Sequence, residues 1–188
     1  MEKLFEIEPV LPQGFSYYPS FISVEEEDEL CRRIDGMELH TFKFQGFEAK
    51  RKAASFGYDW SFDRRELSKG VPIPQFFDAI MEKVAAGIGL QKDEFAELLV
   101  LQYPIGAVIN WHRDAPPFGV IAGISLRSDC IFKLRPYEKA KQHRGSIRSL
   151  RVERRSLYLM QGEARSEWEH STAPVKHVRY PITLRTLK

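Results

Sequence analysis

The residues best suited to chemistry are His112 and Asp114, an H-x-D pair closing the stretch Gln102-Tyr103-Pro104-Ile105-Gly106-Ala107-Val108-Ile109-Asn110-Trp111-His112-Arg113-Asp114, and His170, 58 residues further on. On an extended segment, residues two apart project to one face. His112 and Asp114 can therefore grip one small object, with a third ligand arriving from another strand. Two imidazoles and one carboxylate on one face of an ion form the facial triad of non-haem Fe(II) oxygenases, which leaves coordination positions open. An H-x-D pair alone is common at strand ends, so its weight comes from its companions. Arg179 and Arg185 stand six apart in the strand-like Arg179-Tyr180-Pro181-Ile182-Thr183-Leu184-Arg185 and so start on one face. A planar guanidinium matches a carboxylate bidentately, which suits a dicarboxylate co-substrate beside a ferrous ion, and the Tyr103 hydroxyl is available to the same anion.

The order Q-Y-x-x-G (from Gln102), H-x-D, S-L (Ser125-Leu126), H-S (His170-Ser171) and R-Y-x-x-T-x-R (from Arg179) resembles the AlkB family of 2-oxoglutarate- and Fe(II)-dependent dioxygenases. The resemblance runs from about Glu97 to Leu187, and more loosely back to about Phe15. It implies that His112, Asp114 and His170 hold Fe(II). Arg179 would then pair with the distal carboxylate of 2-oxoglutarate, helped by Tyr103, and Arg185 would lie near the metal end, with Thr183 lining the same pocket. It further implies O2 as co-substrate, succinate and CO2 as products, and hydroxylation of an N-methyl group that collapses to formaldehyde. The protein's part is to hold cofactors and substrate in register.

Three positions depart from the family pattern. Leu101 and Pro181 replace asparagines that add hydrogen bonds around the co-substrate. Pro116, in Ala115-Pro116-Pro117-Phe118, stands where DNA-repair members carry an acidic residue that touches the damaged base. The last change argues against the usual methylated adenine or cytosine. Arg165, in the pattern Arg-x-x-Trp-x-His-Ser, is a candidate substrate contact, with a salt bridge to Glu163 or Glu167 as the alternative. Arg51, Tyr58 and Trp111 complete the candidate substrate residues.

The elements that must position these side chains can be read from pattern. Gly14 to Tyr18 predicts a short strand, and Ser23 with Glu26 forms a capping box for a helix carrying Leu30, Cys31 and Ile34 and ending at Gly36. Between His40 and Asp63, Phe42, Phe44, Phe47, Phe56, Tyr58, Trp60 and Phe62 interleave with Lys43, Lys50, Arg51 and Lys52. Their alternation predicts a hairpin across Gly46 to Ser55, and aromatics with cations suit a single-stranded or flipped-out nucleotide. In the family this region is a lid, to which Gly46 to Arg51 would belong. Glu66 to Val71 reads as a linker. Gln75 to Ile88 predicts a second helix with Phe76, Phe77, Ile80, Met81, Val84 and Ile88 as its core stripe. Strands are then expected at Leu98–Gln102, Ala107–Trp111, Val120–Leu126, Cys130–Leu134, Ile147–Val152, Leu157–Met160, Glu167–His170 and Ile182–Leu187. Short strands with Gly, Pro and Ser turns predict a mainly β (α+β) fold, a double-stranded β-helix (jelly roll) with supporting N-terminal helices. Residues 1–188 read as one dioxygenase domain, with helices and substrate lid over 12–95 and the catalytic core over 96–188.

A hydrophobic content of 43% and a charged content of 29% are those of an ordinary globular chain. No apolar run approaches a membrane span, and Met1 to Glu6 lacks a signal-peptide pattern. A cytoplasmic monomer with no membrane partner is the expectation. Cys31 and Cys130 are expected to be reduced, and His40, His143 and His177 lack partners at metal spacing. The net charge of +2 conceals a segment from Lys133 to Arg155 that carries +7, a candidate phosphate-contacting surface. The composition and the resemblance together favour oxidative demethylation of alkylated nucleic acid. An oxygenase acting on a protein side chain or small molecule, and a non-catalytic jelly-roll binding module, are the alternatives.

Overall fold

The computed structural model describes residues 10–44 and 47–188. The elements in chain order are β1 (Phe15–Tyr18), α1 (Val24–Asp35), β2 (His40–Phe44), β3 (Phe47–Ser61), β4 (Glu66–Lys69), α2 (Asp78–Ile88), β5 (Phe95–Gln102), β6 (Phe118–Leu126), β7 (Cys130–Pro136), β8 (Arg148–Val152), β9 (Leu157–Met160), α3 (Gly162–Ser166), β10 (Trp168–Thr172) and β11 (Tyr180–Leu187). An eight-stranded sheet runs β1-β9-β6-β11-β5-β3-β2 with β4 paired to β3, and a three-stranded sheet runs β10-β7-β8. All strand pairings are antiparallel. This is the expected jelly roll.

The central strands of the large sheet are buried on both faces, which explains why β6 and β11 read as near-continuous apolar runs rather than alternations. One face packs on the helices. Leu98 and Val100 of β5, Ala122, Ile124 and Leu126 of β6, and Ile182 and Leu184 of β11 meet Leu30 and Ile34 of α1 and Ile80, Met81 and Val84 of α2. Each fully buried Leu or Ile here contributes about 1.5–3 kcal/mol. The other face turns toward the small sheet. Register puts Glu97, Leu99, Ile121, Gly123, Ser125, Thr183 and Arg185 on that face, with Tyr158 and Met160 of β9 beside them. The polar residues of the site therefore occupy the period-two positions left over by the helix-facing core.

The capping box forms as expected: the Glu26 amide donates to Ser23 Oγ at 3.2 Å and Ser23 N to Glu26 Oε2 at 2.7 Å. Glu27, only 1% exposed, is held by Arg154 (2.7 Å) and Arg155 (3.3 Å), which ties α1 to the turn before β9. Those two arginines thus leave the expected basic surface for a structural role.

Several expectations are corrected. The hairpin pairs Phe44 with Phe47 rather than spanning Gly46 to Ser55, and Tyr58 to Ser61 pair instead with β4, the stretch expected as a linker. Gly57 causes the switch. It takes a left-handed φ of 85°, exchanges backbone hydrogen bonds with Val71 and Gly70, and so hands β3 from β5 over to β4. Phe76 is 37% exposed beneath Arg33 rather than in the core, because a 3-10 turn over Gln75–Phe77 precedes α2. Ala107 to Trp111 joins no ladder, and α3 had no counterpart in the pattern. The aromatic and cationic positions of the lid from Phe42 through Ala49 fall outside the described side chains. Among the described residues no helix is long and apolar enough to cross a membrane.

Candidate active site

The segment that delivers His112 is irregular, yet it is pinned at both ends. Tyr103 and Arg179 exchange backbone hydrogen bonds at 2.9 and 3.1 Å, and His112 and His170 do the same at 3.0 and 2.9 Å. Between them Gly106 turns the chain at φ 78°, and the backbone of Ala107 and Ile109 bonds to Val175 and Thr172, the latter also through its hydroxyl. With these groups satisfied, a loop can be rigid without a ladder.

His112, Asp114 and His170 come together as the spacing implied, each offering a ligand atom within 4.8 Å of the others. His170 Nε2 lies 3.7 Å from Asp114 Oδ2, and the two imidazole centroids are 4.2 Å apart. His112 Nδ1 is 2.8 Å from the Asn110 carbonyl oxygen. A carbonyl only accepts, so the proton belongs on Nδ1 and Nε2 keeps its lone pair for a metal. Burial, with His112 next to it, pushes the His170 imidazole down to about 3, so it is neutral at physiological pH. Burial alone would raise the Asp114 carboxyl, but Arg185, then His170, His112 and Arg165, hold it well below the usual carboxylate range. Two imidazoles and one carboxylate fit a divalent transition metal, and His170 and Asp114 are already in their ligating protonation states.

Arg185 organises the carboxylates. Its Nη2 donates to Asp114 Oδ1 at 2.7 Å and its Nη1 to Glu97 Oε2 at 2.6 Å, while Ser55 Oγ donates to Glu97 Oε1 at 3.2 Å. Burial raises the Glu97 carboxyl against the opposing pull of Arg185. Arg179 differs: it is 3% exposed, its Nε donates to Ser125 Oγ at 2.8 Å, and no carboxylate among the described residues pairs with it. A buried guanidinium without a counter-ion is costly unless an anion arrives, and a carboxylate-bearing ligand would supply one. Its Cζ lies 5.8 Å from the Tyr103 ring, which is also buried. The dicarboxylate therefore fits this end of the site.

A cavity of about 920 Å³ opens beside Asp114, its wall including Phe62, Arg113, Pro116, Tyr137 and Arg165. Arg165 makes no salt bridge to Glu163 or Glu167. Its Nη2 instead donates to the carbonyls of Asp114 (3.0 Å) and Ala115 (2.6 Å), bracing the ligand loop from α3. Arg113 stacks on Tyr137 with its Cζ 3.5 Å from the ring centroid, and its Nη1 donates to Ser166 O at 2.8 Å. Trp111 is half-buried under Arg135, whose Cζ is 4.3 Å from its ring and which pairs with Glu169. Tyr58 lines a neighbouring cavity of about 560 Å³ with Lys69, and both cavities share Val120, Thr186 and Leu187. Arg51 is half-buried on the β3 side and acts electrostatically on Tyr103 rather than lining the large cavity. Arg165 is thus the one of the four candidate substrate residues on the wall of the cavity beside Asp114.

Sequence reasoning missed Glu97, Ser125's bond to Arg179, and Tyr158. Glu97 had a signal, a lone charge in the apolar run Phe95-Ala96-Glu97-Leu98-Leu99-Val100. Tyr158 had one only in combination with Gly123. A Cβ built on Gly123 would lie 2.1 Å from Tyr158 Cζ, so the glycine is the slot that admits this ring. Tyr158 also packs on Phe132, which stacks on His170 at 5.1 Å, and burial raises its hydroxyl pKa. It thereby backs the metal-ligand shell from inside.

Comparison with known proteins points the same way. The family model described as the 2OG-Fe(II) oxygenase superfamily matches residues 14–185. The tRNA (carboxymethyluridine(34)-5-O)-methyltransferase alkbh8 of Xenopus tropicalis is 27% identical over 176 residues, covering 90% of this chain and 27% of the relative. The Alkylated DNA repair protein ALKBH8 homolog of Arabidopsis thaliana is 26% identical over 183 residues, covering 84% of this chain and 50% of the relative. The chain thus spans between about a quarter and a half of the length of these relatives. The solved structure of OsALKBH1 superposes with a TM-score of 0.73 at 14% identity, covering 94% of this chain and 98% of that one, a likeness of fold. The chain is an AlkB-like protein and belongs to the 2OG-Fe(II) oxygenase superfamily.

Proposed function

We propose that this protein oxidatively demethylates an N-alkylated nucleic-acid base. His112, Asp114 and His170 would hold Fe(II), and Arg179, with Tyr103, would bind the distal carboxylate of 2-oxoglutarate. When bound, these cofactors supply the oxidation: O2 and 2-oxoglutarate give succinate and CO2 and place one oxygen atom in the substrate's methyl C–H bond, after which the hydroxymethyl group leaves as formaldehyde. The chain's own work is positioning. Arg185 fixes one oxygen of Asp114, Asn110 fixes the tautomer of His112, and Arg165 braces the backbone at Asp114 and Ala115. Thr183, buried on the face of β11 that carries Arg185, would line the co-substrate end.

The observation that carries the nucleic-acid reading is the wall of the 920 Å³ cavity, where Arg113, Arg165, Tyr137 and Phe62 surround the approach to Asp114. Cations and aromatic rings are the side chains that hold phosphates and stack bases. Relatives named for a tRNA uridine and for alkylated DNA repair support the same class. Pro116 favours the second reading, an oxygenase acting on a protein side chain or small molecule, since no acidic side chain faces a cationic base there. Anisotropy of a labelled single-stranded oligonucleotide, titrated at two salt concentrations, separates the two. Binding that weakens steeply with salt supports nucleic acid, and its absence at low salt favours the second reading.

A further inference from the structure

The charge on the wall of the large cavity has a sign that bears on which base could enter. Asp114 is its one negative side chain, and that carboxylate is already held by Arg185. Arg113 and Arg165 are positive. Arg165 commits its Nη2 to the ligand loop and keeps its positive charge on the wall. Pro116 contributes neither an amide N–H nor a polar side chain to this wall. Among the described residues the pocket therefore offers positive charge, and it offers no uncommitted side-chain carboxylate as an acceptor.

Alkylation at a ring nitrogen divides bases into two electrostatic classes. Adenine methylated at N1 and cytosine methylated at N3 carry positive charge near neutral pH, and a cationic wall repels them. Uracil methylated at N3 stays neutral, and its two ring carbonyls accept hydrogen bonds. Guanidinium groups are donors only, so ring carbonyls are the complement that such a wall accepts.

We propose that this pocket selects a neutral, carbonyl-bearing base of the N-alkylated uracil type over the cationic forms of alkylated adenine or cytosine. The proposal rests on the nucleic-acid reading and narrows it. Like-charge juxtaposition is a common device for rejecting the wrong partner, and here it needs no residue beyond those already bracing the metal loop.

The test is competition binding to the full chain loaded anaerobically with Fe(II) and 2-oxoglutarate, so that no turnover occurs. A fluorescein-labelled single-stranded RNA is displaced by otherwise identical strands bearing one 3-methyluracil, one 3-methylcytosine, one 1-methyladenine or no modification. The phosphate contribution is common to all four, so differences report the pocket. The 3-methyluracil strand is expected to compete at least tenfold better than either cationic strand. Pro116→Asp, an exposed substitution that adds a carboxylate to the wall, is expected to shrink that ratio at least tenfold. Equal or better competition by a cationic strand in the unaltered protein would overturn the proposal while leaving the nucleic-acid reading in place. An unchanged ratio in Pro116→Asp would overturn the electrostatic origin. Failure of every modified strand to outcompete the unmodified one would overturn the proposal, and no binding by any strand would remove the nucleic-acid reading as well.

Discussion

Arg185 and Arg179 are the same residue type on one face of one strand, yet their surroundings give them opposite roles. Arg185 has two carboxylates and Arg179 has none among the described residues. Arg185→Met should leave Glu97 buried without its cation and release Asp114, costing about 3–5 kcal/mol of stability in denaturant unfolding and weakening Fe(II) affinity in the same variant. A stability loss under about 1 kcal/mol would contradict the assigned network. Arg179→Met removes a cation that no carboxylate among the described residues pairs, so the fold should survive. The KM for 2-oxoglutarate should rise about 10- to 100-fold, roughly 1.4–2.7 kcal/mol, and an unchanged KM would remove Arg179 from the co-substrate site. His170 yields a pH prediction for the metal-free protein. Its folded pKa of about 3 lies below the unfolded value, so the unfolded chain binds the extra proton in the interval between them. Stability is then complete above about pH 6.5 and falls as pH drops toward 4, by up to about 1.4 kcal/mol per unit. His170→Asn should flatten that slope, and a wild-type melting temperature constant from pH 7 to 4 would contradict it. At this scale the H-x-D pair and the shared strand face of the two arginines were legible, because residues two and six apart are set by local geometry. The Arg185–Glu97 pair was not, since only strand register brings residues 88 apart into contact.

Elements succeed or fail on local geometry. The capping box that opens α1, and the strand Leu157–Met160, could be read directly, because each depends on a few adjacent residues. The switch of β3 between two partners could not, because Gly57 reads in sequence as an ordinary weak strand residue. Gly57→Ala tests that role: the new Cβ would meet the Ala96 carbonyl oxygen at 2.1 Å in a left-handed backbone, and a loss of more than about 2 kcal/mol is expected in thermal unfolding. A near-neutral effect would mean that the β3 to β4 handover can be made another way. The irregular path from Ala107 to Trp111 was expected as one of a run of short strands. Its hydrogen bonds instead go to Thr172, Val175 and His170 from outside any ladder, a tertiary choice that periodicity does not encode. The supposed salt bridge of Arg165 failed for a related reason, since α3 turns that side chain onto two loop carbonyls.

The whole molecule divides its labour between two faces of one sheet. The helix-facing side is apolar and carries stability, while the opposite side spends its alternate positions on Glu97, Ser125, Thr183 and Arg185 and meets the ligand-bearing small sheet. This arrangement explains how a chain with ordinary composition can bury several charges without disrupting its core: they are paired with each other or await a charged ligand. The expected basic surface from Lys133 to Arg155 is thinner than its sequence charge suggested, because Arg135, Lys141, Arg151, Arg154 and Arg155 pair with Glu169, Glu138, Asp129 and Glu27. The proposed coupling of 2-oxoglutarate oxidation to demethylation of a nucleic-acid base depends on all of these parts together. The direct measurement is anaerobic loading with Fe(II) and 2-oxoglutarate, then air, with succinate and formaldehyde assayed on a single-stranded oligonucleotide carrying N-methylated bases, and with His112→Ala as the blank. Equal amounts of the two products, both absent in His112→Ala, are predicted. Succinate without formaldehyde would contradict the nucleic-acid substrate, and neither product from a folded, metal-loaded protein would contradict the site itself.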